Sequence, residues 1–247
     1  MEWQDEGIVL SASRMGEADA VLEVMTRAHG RARGFIKGGL GRRNRANLQV
    51  GNRLSVKWYA RLEANLGRFT VELIHSPLGQ MMGEGARISA LSAIATVVAS
   101  TLPERETHVS VFEGLEAVIE LLEHSEGSAV DWGGALVRLE MVILAELGYG
   151  LDLTRCAVTG EADDLAFVSP KTGRAVSIEA GGPYKVKLLA LPAFLTSGRL
   201  SDASADDVLN GLMLTGYFLE RNVWTVRGGG QPAARERFMG SVQRLSA

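Results

Sequence analysis

Residues 31–37 read R-A-R-G-F-I-K and residues 53–61 read R-L-S-V-K-W-Y-A-R. Side chains of an extended strand alternate between two faces. Read that way, the first stretch puts Arg31, Arg33, Phe35 and Lys37 on one face and Ala32, Gly34 and Ile36 on the other. The second sets Arg53, Ser55, Lys57, Tyr59 and Arg61 opposite Leu54, Val56, Trp58 and Ala60. Both stretches are strands with an apolar inner face, Trp58 included, and a basic outer face dotted with aromatic rings. Three further short runs, at residues 7–13, 20–27 and 68–74, also read as strands, and Gly16, Gly30, Gly51 and Gly67 sit in the connections.

Five short strands in this length fit a small closed barrel, of which the oligonucleotide-binding (OB) fold is the five-stranded example. Ser76-Pro77 closes the unit, so the first domain is read as residues 1–78. Between Arg27 and Arg68 the barrel carries eleven Lys or Arg and one acid, Glu63, a net +10 in a chain whose formal charge is −3. A local positive field of this kind attracts a polyanion. Cations that contact phosphates, interleaved with rings that stack on bases, are how sequence-tolerant single-strand binders work. The bland alternative is a solvated basic surface.

The link at residues 37–45, K-G-G-L-G-R-R-N-R, adds cations on a glycine-rich loop that can approach a phosphate backbone closely. It is not a nucleotide-triphosphate loop, because G-x-x-x-x-G-K-[ST] occurs nowhere in the chain. Nor is it a dinucleotide fingerprint: Asn44 stands where the third glycine belongs and no helical pattern follows. The expected phosphate contacts are Arg31, Arg33, Lys37, Arg42, Arg43, Arg45, Arg53, Lys57 and Arg61, with Phe35 and Tyr59 as stacking rings. Tyr59 could equally pack beneath the long basic side chains.

From residue 84 the apolar period becomes helical. Ile88, Leu91, Ile94, Ala95 and Val98 form one stripe; Val111, Leu115, Val118, Ile119 and Leu122 form a second. Leu136, Leu139, Val142, Ile143 and Leu147 form a third, with Asp131 as its expected N-cap and Gly148 as its stop. Val208, Leu212, Leu214, Phe218 and Leu219 mark a helix over 204–224, and Gly228–Gly230 reads as a hinge before a last short helix. Residues 151–193 are turn-rich, with a hairpin in A-F-V-S-P-K-T-G-R-A-V-S. The fold class is therefore α+β and multi-domain: the barrel, then an all-α domain over 79–247 with a small irregular hairpin insert.

The single cysteine, Cys156, rules out an internal disulfide and suits a reducing cytoplasm. The acidic start, M-E-W-Q-D-E-G, lacks the order of a signal peptide, and the apolar stretch at 88–99 is too short for a bilayer span. A cytoplasmic protein without membrane contact is expected. No catalytic set, metal-spaced carboxylate cluster or cofactor loop is visible, so no catalytic residue, cofactor or metal is assigned.

Several dispersed segments carry a family resemblance. They are G-I-V-L followed by G-E-A-D-A-V-L; G-R-A-R-G-F-I-K-G-G; R-L-E-M-V-I-L-A-E-L-G-Y-G-L-D-L-T-R-C; and V-S-P-K-T-G-R-A-V-S followed by P-Y-K and L-L-A-L-P. In order and spacing the chain resembles the bacterial DNA repair protein RecO family over almost its full length. The resemblance implies an OB barrel and a helical domain, and binding of single- and double-stranded DNA with annealing of complementary strands. It also implies a mediator role: with RecR, the protein helps load the RecA recombinase onto DNA coated by single-strand-binding protein (SSB), whose C-terminal tail docks on the helical domain. Nucleoid association goes with such a role.

Many members of that family carry two zinc-binding cysteine pairs in the insert. Here Cys156 stands at the first position, and Thr159, Ser177 and Ala180 stand at the others. One thiolate cannot make a four-ligand structural zinc site. A zinc-finger-like insert at 151–193 that has lost its ligands is therefore expected, held by packing.

The insert keeps Lys171, Arg174, Lys185 and Lys187 almost unopposed by acids, and Arg138, Arg155, Arg221, Arg227, Arg235, Arg237 and Arg244 are further basic candidates in this half. Competing readings are an RNA-binding OB-fold protein of translation or the ribosome, and an enzyme with a pocket around Cys156 and Tyr184. A structural scaffold would leave the basic segment unexplained.

Overall fold

A computed structural model describes residues 1–62, 65–81, 83–124 and 126–246, with every side chain of these except that of Arg43. Five strands, β1 (Glu2–Met15), β2 (Asp19–Thr26), β3 (Gly30–Ile36), β4 (Arg53–Tyr59) and β5 (Arg68–His75), close into a barrel in the order β1-β2-β3-β5-β4. β1 is longer than its apolar run suggests because it serves two neighbours. Its first half pairs with β4, from Glu2↔Tyr59 to Ile8↔Arg53, and its second half with β2, ending at Met15↔Asp19. A bulge between Val9 and Ser11 bends it between the two tasks. β3 and β5 run parallel and meet only at Phe35↔Arg68. The interior is filled by Val9, Leu22, Val24, Ala32, Ile36, Leu54, Val56, Trp58 and Phe69, all buried.

Gly34 permits this filling: a Cβ there would lie 2.5 Å from the Phe69 ring. At Gly30 the backbone is left-handed (φ 65°) and a Cβ would fall 1.8 Å from the Glu106 carbonyl oxygen, so any side chain is excluded twice over.

One expectation is corrected here. The basic link is not all loop: Arg42–Asn47 forms a short helix, α1. Its six residues contain no apolar period, so pattern reading is blind to it. Tertiary anchors supply the order instead. Asn44 Nδ2 donates to the Gly38 carbonyl (3.1 Å), the Gly38 N–H donates to Asp19 Oδ1 (2.7 Å), and Leu48 is buried in the barrel core.

Helices α2 (Leu78–Met81), α3 (Gly85–Thr101) and α4 (Val109–His124) follow. By contacts they belong with the barrel in one compact unit, residues 1–125, and residues 126–247 form a second. Ile88, read as part of the apolar stripe of α3, is exposed, whereas Leu91, Ile94, Ala95 and Val98 are buried.

In the second unit α5 (Ala129–Glu146) begins one residue after Ser128, which is its N-cap in place of Asp131. Ser128 Oγ accepts from the Val130 N–H (3.2 Å), while Asp131 Oδ2 accepts from the Ser128 N–H (2.7 Å). Asp131 is thus the far half of a capping box, three residues inside. Strands β6 (Leu165–Val168) and β7 (Ala175–Ser177) form the insert's hairpin; α6 (Ile178–Gly181) and a 3-10 turn lead to β8 (Leu189–Ala190), which adds to β6. After α7 (Phe194–Ser197), α8 (Ala205–Leu219) runs on as a π turn through Glu220–Trp224, and α9 (Ala233–Ser246) closes the chain. Arg235 of α9 is fully buried between α5 and α8 and grips Glu140 through two nitrogens, at 2.6 and 2.9 Å. No described helix is long and apolar enough to cross a membrane.

Candidate nucleic-acid interface

β3 and β4 hold the alternation their sequence imposes. Arg31, Arg33 and Phe35 point outward from β3; Arg53, Ser55, Lys57 and Tyr59 point outward from β4. Trp58, inward and buried, donates from Nε1 to the Arg33 carbonyl (3.2 Å), which pins β4 to β3 beneath the outer cations.

The outer cations fall into two groups. Three are neutralised by the chain itself. Arg31, with a side chain only 14% exposed, pairs with Glu23, approaches Glu104 (3.7 Å) and donates from Nε to the Leu102 carbonyl (3.0 Å). Arg53 donates from Nε to Glu6 (3.0 Å) and pairs with Glu116 of α4. The Glu6 hydrogen bond raises the Arg53 pKa above its ordinary value; burial opposes this and Glu116 adds to it. Arg27 lies over the Phe112 ring (4.8 Å) and reaches Glu113 (3.0 Å) and Glu116 (3.4 Å). Such cations hold α4 and the α3–α4 link to the barrel.

The second group is open. Lys37, Lys57, Arg61 and Arg68 are exposed and make no ion pair among the described residues, and Arg33 meets only Glu104, at 3.5 Å. Tyr59 is 58% exposed, which decides its ambiguity: it is not packed beneath its basic neighbours. Strand register puts Phe35, Arg68 and Tyr59 in one row across β3, β5 and β4, through the pairs Phe35↔Arg68 and Tyr59↔Arg68. The Arg68 guanidinium lies 5.9 Å from the Phe35 ring centroid. Arg68 was not among the contacts chosen from sequence. Its outward neighbours on β5 are Thr70 and Glu72, so β5 alone shows no basic face; only the register reveals the row.

On α1, Arg42 and Arg45 are exposed, and Arg45 lines a groove of about 610 Å³ with Arg14, Leu40 and Leu48. The Arg43 side chain lies outside the described residues. In the second unit, Lys171, Lys185 and Lys187 are exposed. Arg174 pairs with Asp152 (3.4 Å), Arg221 donates to the Pro170 carbonyl (2.6 Å), and Arg235 is a core residue.

The insert brings together the positions aligned with metal ligands. Cys156 is buried, its thiol donating to Ser177 Oγ (3.5 Å) and accepting from the Ser177 N–H (3.3 Å). The Ala180 N–H donates to the same Ser177 Oγ (3.5 Å), and Gly160, left-handed at φ 81°, turns the chain after Thr159. Burial pushes the thiol pKa up, but hydrogen bonds with Ser177 and Thr159 outweigh it and hold the value at about 6. Hydrogen bonds thus link Cys156, Ser177 and Ala180. Among the described residues no group of three or more His, Cys, Asp or Glu is placed to hold a metal ion.

Two family models match successive parts of the chain: Recombination protein O N terminal over residues 1–77, and Recombination protein O C terminal over residues 82–224. The chain belongs to the RecO family. Among curated relatives, the DNA repair protein RecO of Rhodospirillum rubrum is 45% identical over 248 aligned residues, covering 100% of this chain and 98% of that protein. RecO of Mesorhizobium japonicum is 43% identical, covering 100% of this chain and 96% of its own length. RecO of Methylobacterium nodulans is 45% identical, covering 97% of both chains. The RecO assignment makes this a protein of DNA repair and recombination, and its barrel followed by helices is the arrangement that the resemblance implied.

Proposed function

We propose that the chain binds single- and double-stranded DNA through the open part of the barrel's outer face and anneals complementary strands. The observation that carries this is the row Phe35–Arg68–Tyr59, flanked by Arg33, Lys37, Lys57 and Arg61, of whose cations only Arg33 has an ion-pair partner among the described residues, Glu104; Glu2 beside Tyr59 and Glu72 on β5 mark the acidic limits of the row. Rings take bases and cations take phosphates. Two complementary strands repel through their phosphates; a basic face that lowers this repulsion while leaving base edges free lets them pair. The work is binding rather than bond-making. Arg42 and Arg45 add exposed cations from α1, while Arg31 and Arg53 act mainly by holding the face in shape.

Family membership supports the finer role: with RecR, the protein loads RecA onto SSB-coated DNA in the cytoplasm, at the nucleoid. In this reading the OB barrel of residues 1–78 carries the DNA, and the helical part, residues 79–247, receives the SSB tail. The deciding experiment is binding of a labelled oligonucleotide across a salt series, with and without SSB. Removing Lys57, Arg61 and Arg68 together should lower the slope of log affinity against log salt by roughly 2, the share of three phosphate contacts on a single strand. An unchanged slope would refute the interface. RNA of the same sequence, bound more tightly than DNA, would favour the translation reading instead.

A further inference from the structure

We propose that the end of the barrel beside α4 is a docking site for a partner protein, and that the partner inserts a lysine or arginine flanked by aliphatic residues. β5 outruns the core. Its inward side chains go from Phe69, 3% exposed, through the partly buried Val71 to Leu73, 44% exposed. At the strand's end the register with β4 slips, so that Ile74 has no partner between Leu73↔Leu54 and His75↔Arg53. A bulge of this kind re-aims a side chain. Ile74, 48% exposed, lines a cavity of about 280 Å³ between β5 and α4.

That cavity is lined by Ile8, Ile74 and Ile119 and by the carboxylates of Glu116, Glu120 and Glu123, with Arg53, His75 and His124 beside them. Its volume suits one long side chain. The carboxylates repel a nucleic acid, and a purely apolar ligand would leave Glu120 uncompensated. A Lys or Arg satisfies both parts, because its methylenes lie on apolar surface while its head stays with the acids. The remaining charge agrees. Arg53 pairs with Glu116, and His75 Nε2 stands 2.7 Å from Glu123, but exposed Glu120 has no ion-pair partner among the described residues. Leu73 and Ile74 supply apolar surface for the flanking aliphatics, of the kind that marks an interaction site.

The probe is a short synthetic peptide alternating arginine and isoleucine, offered to the full chain. Hydrogen exchange should slow over residues 72–75 and 116–124. Glu120→Arg and Ile74→Arg, both at exposed positions, should each weaken binding about tenfold while circular dichroism and oligonucleotide affinity stay as they were. A peptide with glutamate in place of arginine, or with arginine but no isoleucine, should bind far less. Three outcomes overturn the proposal: unchanged affinity in both variants, protection elsewhere on the chain, or protection without peptide that rises with protein concentration, which would make a second copy the occupant. Because oligonucleotide binding is read in the same samples, failure here is distinct from failure of the DNA-binding reading.

Discussion

Arg235 and Glu140 are fully enclosed, and Arg235 also donates to the Leu212 carbonyl (2.7 Å) and to Thr215 Oγ1 (3.3 Å). Removing one member of a buried pair strands the other's charge, typically at about 3–5 kcal/mol. Arg235→Met should cost that much in urea denaturation, and adding Glu140→Met should recover part of it. Asp5 is a second residue with a testable signature. Burial pushes its carboxyl up, but the N–H groups of Ala28 (2.8 Å) and Glu6 (2.8 Å) and the His29 ring (3.0 Å) hold it below its ordinary value of 3.8. A carboxylate lowered on folding stabilises fully above its unfolded pKa and loses that contribution as pH falls through the lowered value. The stability gap between the native chain and Asp5→Asn should therefore be constant near neutrality and shrink below about pH 4. On the interface, Tyr59→Ala should cost about 1–3 kcal/mol in single-strand affinity if a base stacks there, while Arg53→Gln should lower stability more than affinity.

Among elements, the insert draws two of the positions aligned with the family's zinc ligands into contact through hydrogen bonds. Cys156 and Ser177 touch, Ala180 donates to Ser177, and Gly160 keeps the left-handed turn after Thr159. The variant Thr159→Cys/Ser177→Cys/Ala180→Cys should bind one zinc per chain by metal analysis; a triple variant that folds but takes up none would show that the knuckle no longer has tetrahedral geometry. β3 and β4 were legible because every inward residue on them is apolar or glycine and almost every outward one is polar or aromatic. α1 was not, because Arg42–Asn47 has no periodicity and is ordered by Asp19 and Gly38 outside it. The cap of α5 was misplaced by three residues because Ser128 and Asp131 share one box, and either alone reads as a start.

At the scale of the whole molecule, the charge segment announced a polyanion site but not which of its cations are free. Arg27 and Arg53 are neutralised by acids on α4, and Arg31 leans on the α3–α4 link, all far away in sequence; no local pattern could show this. The same contacts make residues 1–125 one unit. A fragment ending at residue 124 should unfold cooperatively in urea, whereas one ending at 78 should lose cooperativity, since it lacks Glu104, Glu113 and Glu116. If the shorter fragment unfolds just as sharply, the helices are passengers on the barrel.

The lateness of those acids matters during synthesis. The stretch from Arg27 to Arg68, with its net +10, leaves the ribosome well before Glu113 and Glu116. At roughly 5–20 residues per second, the nascent barrel waits several seconds with Arg27 uncompensated and Arg53 held by Glu6 alone, beside a surface made largely of ribosomal RNA. Its α4 acids are thus more than braces: their arrival takes Arg27 and Arg53 out of the barrel's attraction for phosphate and leaves it to the cations that have no acid beside them.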